Sequence, residues 1–160
     1  MLFKRVNRTD PEQIFIVVLN NEGAALNANQ TCQWEPASAS VDGVRVRDMD
    51  TANEYCFAGV VDAAIADGAY GLIQIYGYRS TSLVLTTDTS ITTGVVLVPV
   101  AAQDYLQSQN SVYTSNANFT RSPIFAVLLE SITTSTGNVS RKIFIRAMAV
   151  LLALGFTFGG

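Results

Sequence analysis

The chain contains no histidine. That removes the commonest general base and the commonest metal ligand. Cysteine is almost missing too: Cys32 and Cys56 are the only two, so a four-cysteine metal site is excluded. Both stand in apolar, strand-like surroundings and read as buried free thiols rather than as a disulfide or a reactive thiol. Charge is scarce. Asp, Glu, Lys and Arg make up 14% of 160 residues, against roughly 25% in an average globular chain. Thr, Ser, Asn, Gln and apolar groups must therefore form much of the surface, which suits a protein packed against neighbours. A net charge of −3 and a pI near 4.8 argue against a general nucleic-acid binder. No apolar run reaches the roughly 18 residues of a membrane-spanning helix. The opening MLFKRVNRTDPEQ has no long apolar stretch behind its charges, so no secretory signal is expected.

What the chain does have is many short β-forming runs. Residues 14–19 (IFIVVL) form a continuous, mostly β-branched and aromatic run, as expected of a strand buried on both faces. Further strands are expected over 30–35, 44–47, 55–61, 72–77, 82–85, 95–100, 124–129 and 142–146. Turn signals such as NNEG (20–23) and Asp42-Gly43 separate them. Residues 101–106 suggest a helical turn and the polar stretch 107–122 a surface loop. The fold class that follows is all-β: a small barrel or sandwich of one or two related lobes, with an extended N-terminal arm and an apolar C-terminal tail. In residue terms this is an arm (1–13), a first lobe (14–80), a second lobe (81–146) with the polar insert 107–122, and a tail (147–160).

An internal echo supports two related halves. "VVLNNEGAALNANQTCQWEP" resembles "LVLTTDTSITTGVVLVPVAA" at an offset of about 65 residues. "FAGVVDAAIADGAYGLIQIYG" resembles "FAVLLESITTSTGNVSRKIFIRA" at a similar offset, setting Asp62 against Glu130 and Gly68 near Gly137. The alternative is chance similarity between two β-rich stretches.

The segment from Ala58 to Tyr78 carries a family resemblance. A strand ending Ala58-Gly59-Val60-Val61 leads through Ile65, Gly68 and Gly71 into a strand with Gln74 and Gly77. In this it resembles the small β proteins that decorate tailed-phage heads, known as decoration or cement proteins; the likeness covers residues 25–78. The resemblance implies a structural protein of the virion, on the capsid exterior and made in the host cytoplasm. It implies the major capsid protein as partner and a homo-oligomer, trimer before dimer, with no cofactor, nucleic acid or membrane. Gly68 and Gly71 are expected where the chain reverses between strands, and Gly77 where a strand ends and a neighbour comes close.

Other candidate residues are few. Asp48, Asp50 and Glu54 form the densest acidic group, but "RDMDTANE" lacks the glycine turn of a calcium loop and reads as a solvated loop. Asp62 and Asp67 flank a kink without any sign of the cleft that a catalytic carboxylate pair needs. Three N-x-[ST] sequons, at Asn29, Asn118 and Asn138, are read as coincidence. Lys4, Arg5 and Arg8 make either a solubilising terminus or a docking arm for an acidic surface. The tail AMAVLLALGFTFGG is apolar on all sides, so Leu151, Leu152, Leu154, Phe156 and Phe158 are expected to be covered by the domain, a sister subunit or a capsid. A carbohydrate-binding or fibre module is the alternative function, with Trp34, Tyr105 and Tyr113 as its only aromatic platforms. An enzyme is not expected.

Overall fold

The computed structural model describes residues 11–35, 43–50, 56–85, 91–109, 125–132 and 137–146. Every element among them is a strand: β1 (Gln13–Asn20), β2 (Thr31–Trp34), β3 (Arg45–Arg47), β4 (Phe57–Val61), β5 (Tyr70–Arg79), β6 (Leu83–Leu85), β7 (Val96–Pro99), β8 (Leu106–Ser108), β9 (Ala126–Leu128), β10 (Asn138–Ser140) and β11 (Ile143–Arg146). The expected all-β class holds.

The first five strands close on themselves in the order β1-β3-β2-β4-β5, with β5 returning to β1. Only the β1–β3 pair is parallel; the other four ladders are antiparallel. A closed ring leaves no sheet edge to satisfy, the standard solution for short strands that would otherwise aggregate.

The remaining strands repeat this ring. β6 pairs β8 in parallel, β8 pairs β7, β7 pairs β9, β9 pairs β11, and β10 returns to β6. β10 and β11 together take the place of β5. Across their junction, Ser82 and Arg141 exchange backbone hydrogen bonds of 3.1 and 2.9 Å, and Leu129 N donates to Lys142 O at 2.9 Å, so the ring is continuous.

The registers coincide as well. Cys32↔Gly59 in the first barrel becomes Leu97↔Ala126 in the second. Val61↔Ile73 becomes Leu128↔Ile143, Trp34↔Val46 becomes Pro99↔Leu106, and Asn20↔Val46 becomes Val84↔Leu106. The isolated bridge Leu26↔Ile65 becomes Ile91↔Ile132. Reversals match too: Asn29 (φ 71°) stands where Gly94 (φ 92°) stands, each donating its N–H to the last residue of the fourth strand.

β5 is the joint between the barrels. Its residues Tyr70–Gly77 pair with β1 and finish the first ring. Its residues Tyr76–Arg79 also pair with β11, on the edge opposite β1, and begin the second. Two apolar clusters fill the rings. One holds Val18, Leu26, Cys32, Val46, Ala58, Val61, Ile65 and Ile73. The other holds Val84, Leu97, Leu106, Leu128, Ile143 and Ile145, and takes in Phe57 and Val60 from the first barrel. Ile75 on β5 touches both, and Phe57 meets Phe125 edge-on at 5.2 Å. The two barrels thus pack as one body.

Several expectations need correction. Residues 106–108 are a strand, not a helical turn followed by loop. Residues 138–140, outside every expected strand, are also a strand. Glu130 does not occupy the place of Asp62; Leu129 does, because Leu129 N and Asp62 N make the equivalent bonds to Lys142 O and Leu72 O.

Candidate functional site: the barrel junction and an apolar face

Arg79 ends β5 and is 5% exposed. A buried guanidinium requires a full set of acceptors, and Arg79 has one. Nε donates to Thr81 O (2.6 Å), Nη1 to Asp62 Oδ1 and Gln74 Oε1 (both 3.2 Å), and Nη2 to Asn29 Oδ1 (2.8 Å) and Val61 O (2.9 Å). Gln74, wholly buried, donates in turn to Tyr76 O and Tyr78 O. Burial lowers the Arg79 pKa from its usual value, and the hydrogen bond and charge of Asp62 oppose that shift. The network ties the loop before β2, the end of β4 and both halves of β5 to one point. Its donors are consumed internally, so its chemistry is structural.

Gly77 lies beside it within β5, not at a strand end as expected, with φ at +100°, and a Cβ there would overlap the Glu12 carbonyl oxygen. The close neighbour anticipated from the sequence is therefore this chain's own entry to β1. Gly68 (φ +69°) does sit in the reversal before β5. Gly71 does not: it lies within β5, and what it needs is space, because a Cβ would strike the Ile65 side chain.

A polar cavity of about 320 Å³ spans the two barrels, lined among others by Glu22, Asp48, Gln30, Gln103 and Asp104. Asp48 Oδ1 accepts from Met49 N at 2.8 Å, and Asp48 N donates to Glu22 Oε2 at 3.0 Å. Arg47 pairs with the same Glu22 oxygen at 3.2 Å. Burial raises the Asp48 pKa, with the charges of Glu22 and Asp104 adding to it. Among the described residues no grouping of carboxylates and cysteines is suited to a metal ion. Asp50 lies close by, its N–H on Gln33 Oε1 at 3.2 Å, while Glu54 is outside the described residues.

Both cysteines are free; Cys32 is buried and Cys56 half-buried, and desolvation pushes both thiols up. Of the aromatic platforms, Trp34 is half-buried against the first barrel's core, Tyr105 is half-buried, and Tyr113 is outside the described residues. So are the arm residues Lys4, Arg5 and Arg8 and the tail residues Leu151, Leu152, Leu154, Phe156 and Phe158.

The surface feature that stands out is on β1 and β5. Val17 is 62% exposed, Tyr70 67% and Leu72 44%. Val17 and Leu72 are direct cross-strand partners, and Tyr70 is the partner of half-buried Leu19. Two adjacent rungs of the ladder thus present apolar side chains to solvent. Sequence reading missed both this face and Arg79. The first was hidden because a uniformly apolar strand does not reveal which residues face out. Arg79 carried no signal in the sequence, because its acceptors are gathered from Asn29, Val61, Asp62, Gln74 and Thr81 only by the fold.

No protein-family model matches the sequence, and no curated protein does. Among solved structures the chain is similar to the head fiber gp8.5 N base of bacteriophage phi29, with 11% sequence identity, a TM-score of 0.47, and 84% of this chain and 94% of that chain covered.

Proposed function

We propose that the chain is a structural protein of a tailed-phage virion, a decoration (cement) protein that docks on the assembled head and bridges neighbouring capsomers. The observation that carries this reading is the Ala58–Gly77 unit, whose sequence resembles that of head-decoration proteins and which forms β4, the Gly68 turn and the strand joining the two barrels. The head-fiber likeness agrees with the reading, which does not rest on it. The role is binding rather than catalysis. A protein that binds the assembled shell and not its dissociated subunits stabilises the shell by mass action. Lys4, Arg5 and Arg8 supply the charge that steers the arm to acidic capsid patches, a contribution expected in the association rate more than in dissociation.

The test is co-sedimentation with purified empty heads, followed by thermal melting of the decorated heads. The expected outcome is saturable binding and a higher melting temperature. Replacing the three basic residues with alanine slows association and flattens its salt dependence. Failure to sediment with heads, with head melting unchanged, would overturn the proposal.

A further inference from the structure

We infer that the outer face of the β1–β5 ribbon is a receptor for this chain's own C-terminal segment, residues 147–160. The second barrel provides the control. Its ladder puts Thr81 where the first barrel has Val17, Ser140 where it has Tyr70, and Lys142 where it has Leu72. All three counterparts are exposed and polar. One backbone pattern therefore appears twice, with its outer rungs polar in one copy and apolar in the other. The barrel itself does not require those apolar groups, and taking them out of water would be favourable.

The position of the chain's exit identifies the occupant. Arg146, the last described residue, is the cross-strand partner of Tyr76 on β5. β11 runs antiparallel to β5, so the chain leaves β11 heading along β5 toward Leu72 and Tyr70. The adjoining edge of β5 is already taken by β4, through Val60↔Gln74 and Val61↔Ile73. That edge is closed to a further strand, whereas the outer face is open. Tyr70 lies about 20 Å from Tyr76 along the strand at roughly 3.3 Å per residue. An extended segment of the length of 147–160 reaches about 45 Å. The segment AMAVLLALGFTFGG has no charge and offers Leu151, Leu152, Leu154, Phe156 and Phe158. Tethering beside its receptor gives it an effective concentration in the millimolar range, ahead of any second copy in dilute solution.

The experiment uses the full chain, without phage heads, so its outcome is separate from that of the docking test. In a Cys56→Ser background, Leu72→Cys is labelled with a maleimide. Labelling is compared with that of Lys142→Cys, the equivalent position on the second barrel, and with a full-length variant whose five large tail residues are serine. The expected result is labelling at Leu72→Cys at least about tenfold slower than at Lys142→Cys, independent of protein concentration and relieved by the serine variant. If the serine variant fails to fold, the comparison of the two cysteines in the native-tail chain still decides. Equal rates would overturn the inference. So would protection that grows with protein concentration, which assigns the face to a second copy.

Discussion

The two barrels have the same ladder and an apolar cluster each, but the first buries more polar side chains. At equivalent buried positions the first barrel carries Asn20, Gln33 and Cys32 where the second carries Val84, Val98 and Leu97. Gln74, buried in the first, corresponds to Phe144 in the second. The pairing pattern thus tolerates a polar or an apolar side chain at these positions, provided each polar group finds partners. Asn20 finds three: its Nδ2 donates to Ala24 O (2.8 Å) and Ile65 O (2.9 Å), and its Oδ1 accepts from Glu22 N (3.0 Å). These bonds fix the loop after β1, which the cavity and the Glu22–Arg47 pair then use. Gln33 is less complete, because its buried Nε2 has no partner among the described residues. The second barrel relies on volume instead, and its apolar cluster extends into the first across Phe57 and Phe125.

The largest effect is expected where the barrels share a strand. Arg79→Ala takes the guanidinium from Gln74 Oε1, Thr81 O and Asp62 Oδ1, while Asn29 Oδ1 keeps Thr81 Oγ1 and Val61 O keeps Asn29 N; losing several charge-assisted bonds at once should cost about 3–5 kcal/mol. Urea unfolding followed separately through the Trp34 region and through the second barrel would show both losing stability together. A loss confined to the first barrel would break the idea that β5 couples them.

Exchanging interior chemistry sharpens the comparison. Asn20→Val gives the first barrel the second's residue and takes the side-chain partner from Ala24 O and Glu22 N, while Ile65 O keeps Leu26 N, for a predicted loss of about 1–3 kcal/mol. Val84→Asn buries an amide without the loop that serves Asn20, and is expected to cost about as much or more. Circular-dichroism melts of both variants test this. A neutral Val84→Asn would mean that the second barrel has acceptors the structure does not show.

The smallest effect concerns Asp48. Its pKa is raised in the fold, so the native state holds this proton more tightly than the unfolded chain does. Stability from this group is therefore present below the ordinary carboxylate range and is lost as pH rises through it. Asp48→Asn should leave stability unchanged at low pH and raise it slightly at neutral pH, flattening the profile between. A variant whose pH profile has the same slope as the native chain would remove Asp48 as the cause.

Much of this architecture was legible in the sequence, and the gaps have physical reasons. The continuous run IFIVVL marked a strand, but not one buried on both faces as expected: Ile14 and Val17 are exposed. β8 (LQS) and β10 (NVS) were missed because each has a single apolar residue in three, too few for alternation to show. The echo between the halves was found, but one or two residues out of register. Matching like letters sets Val18 against Val84, whereas the ladders set Asn20 there. A polar residue that satisfies its bonds locally can replace an apolar one, and letter similarity is blind to that exchange. The site is the less legible part. Arg79 reads as an ordinary surface arginine until Asn29 and Asp62, held to Val61 and Leu72 by backbone bonds, are brought around it beside Gln74 of its own strand.

The central claim is that one ladder occurs twice and that β5 belongs to both copies. Cross-strand NMR contacts between backbone protons of the intact chain test it most directly. The account predicts contacts for Leu26–Ile65 and Ile91–Ile132, for Val18–Gly71 and Ser82–Arg141, and for Tyr76 with Ile14 on one side and Arg146 on the other. A second-barrel ladder shifted by one residue, or a β5 with only one of its two neighbours at Tyr76, would contradict it.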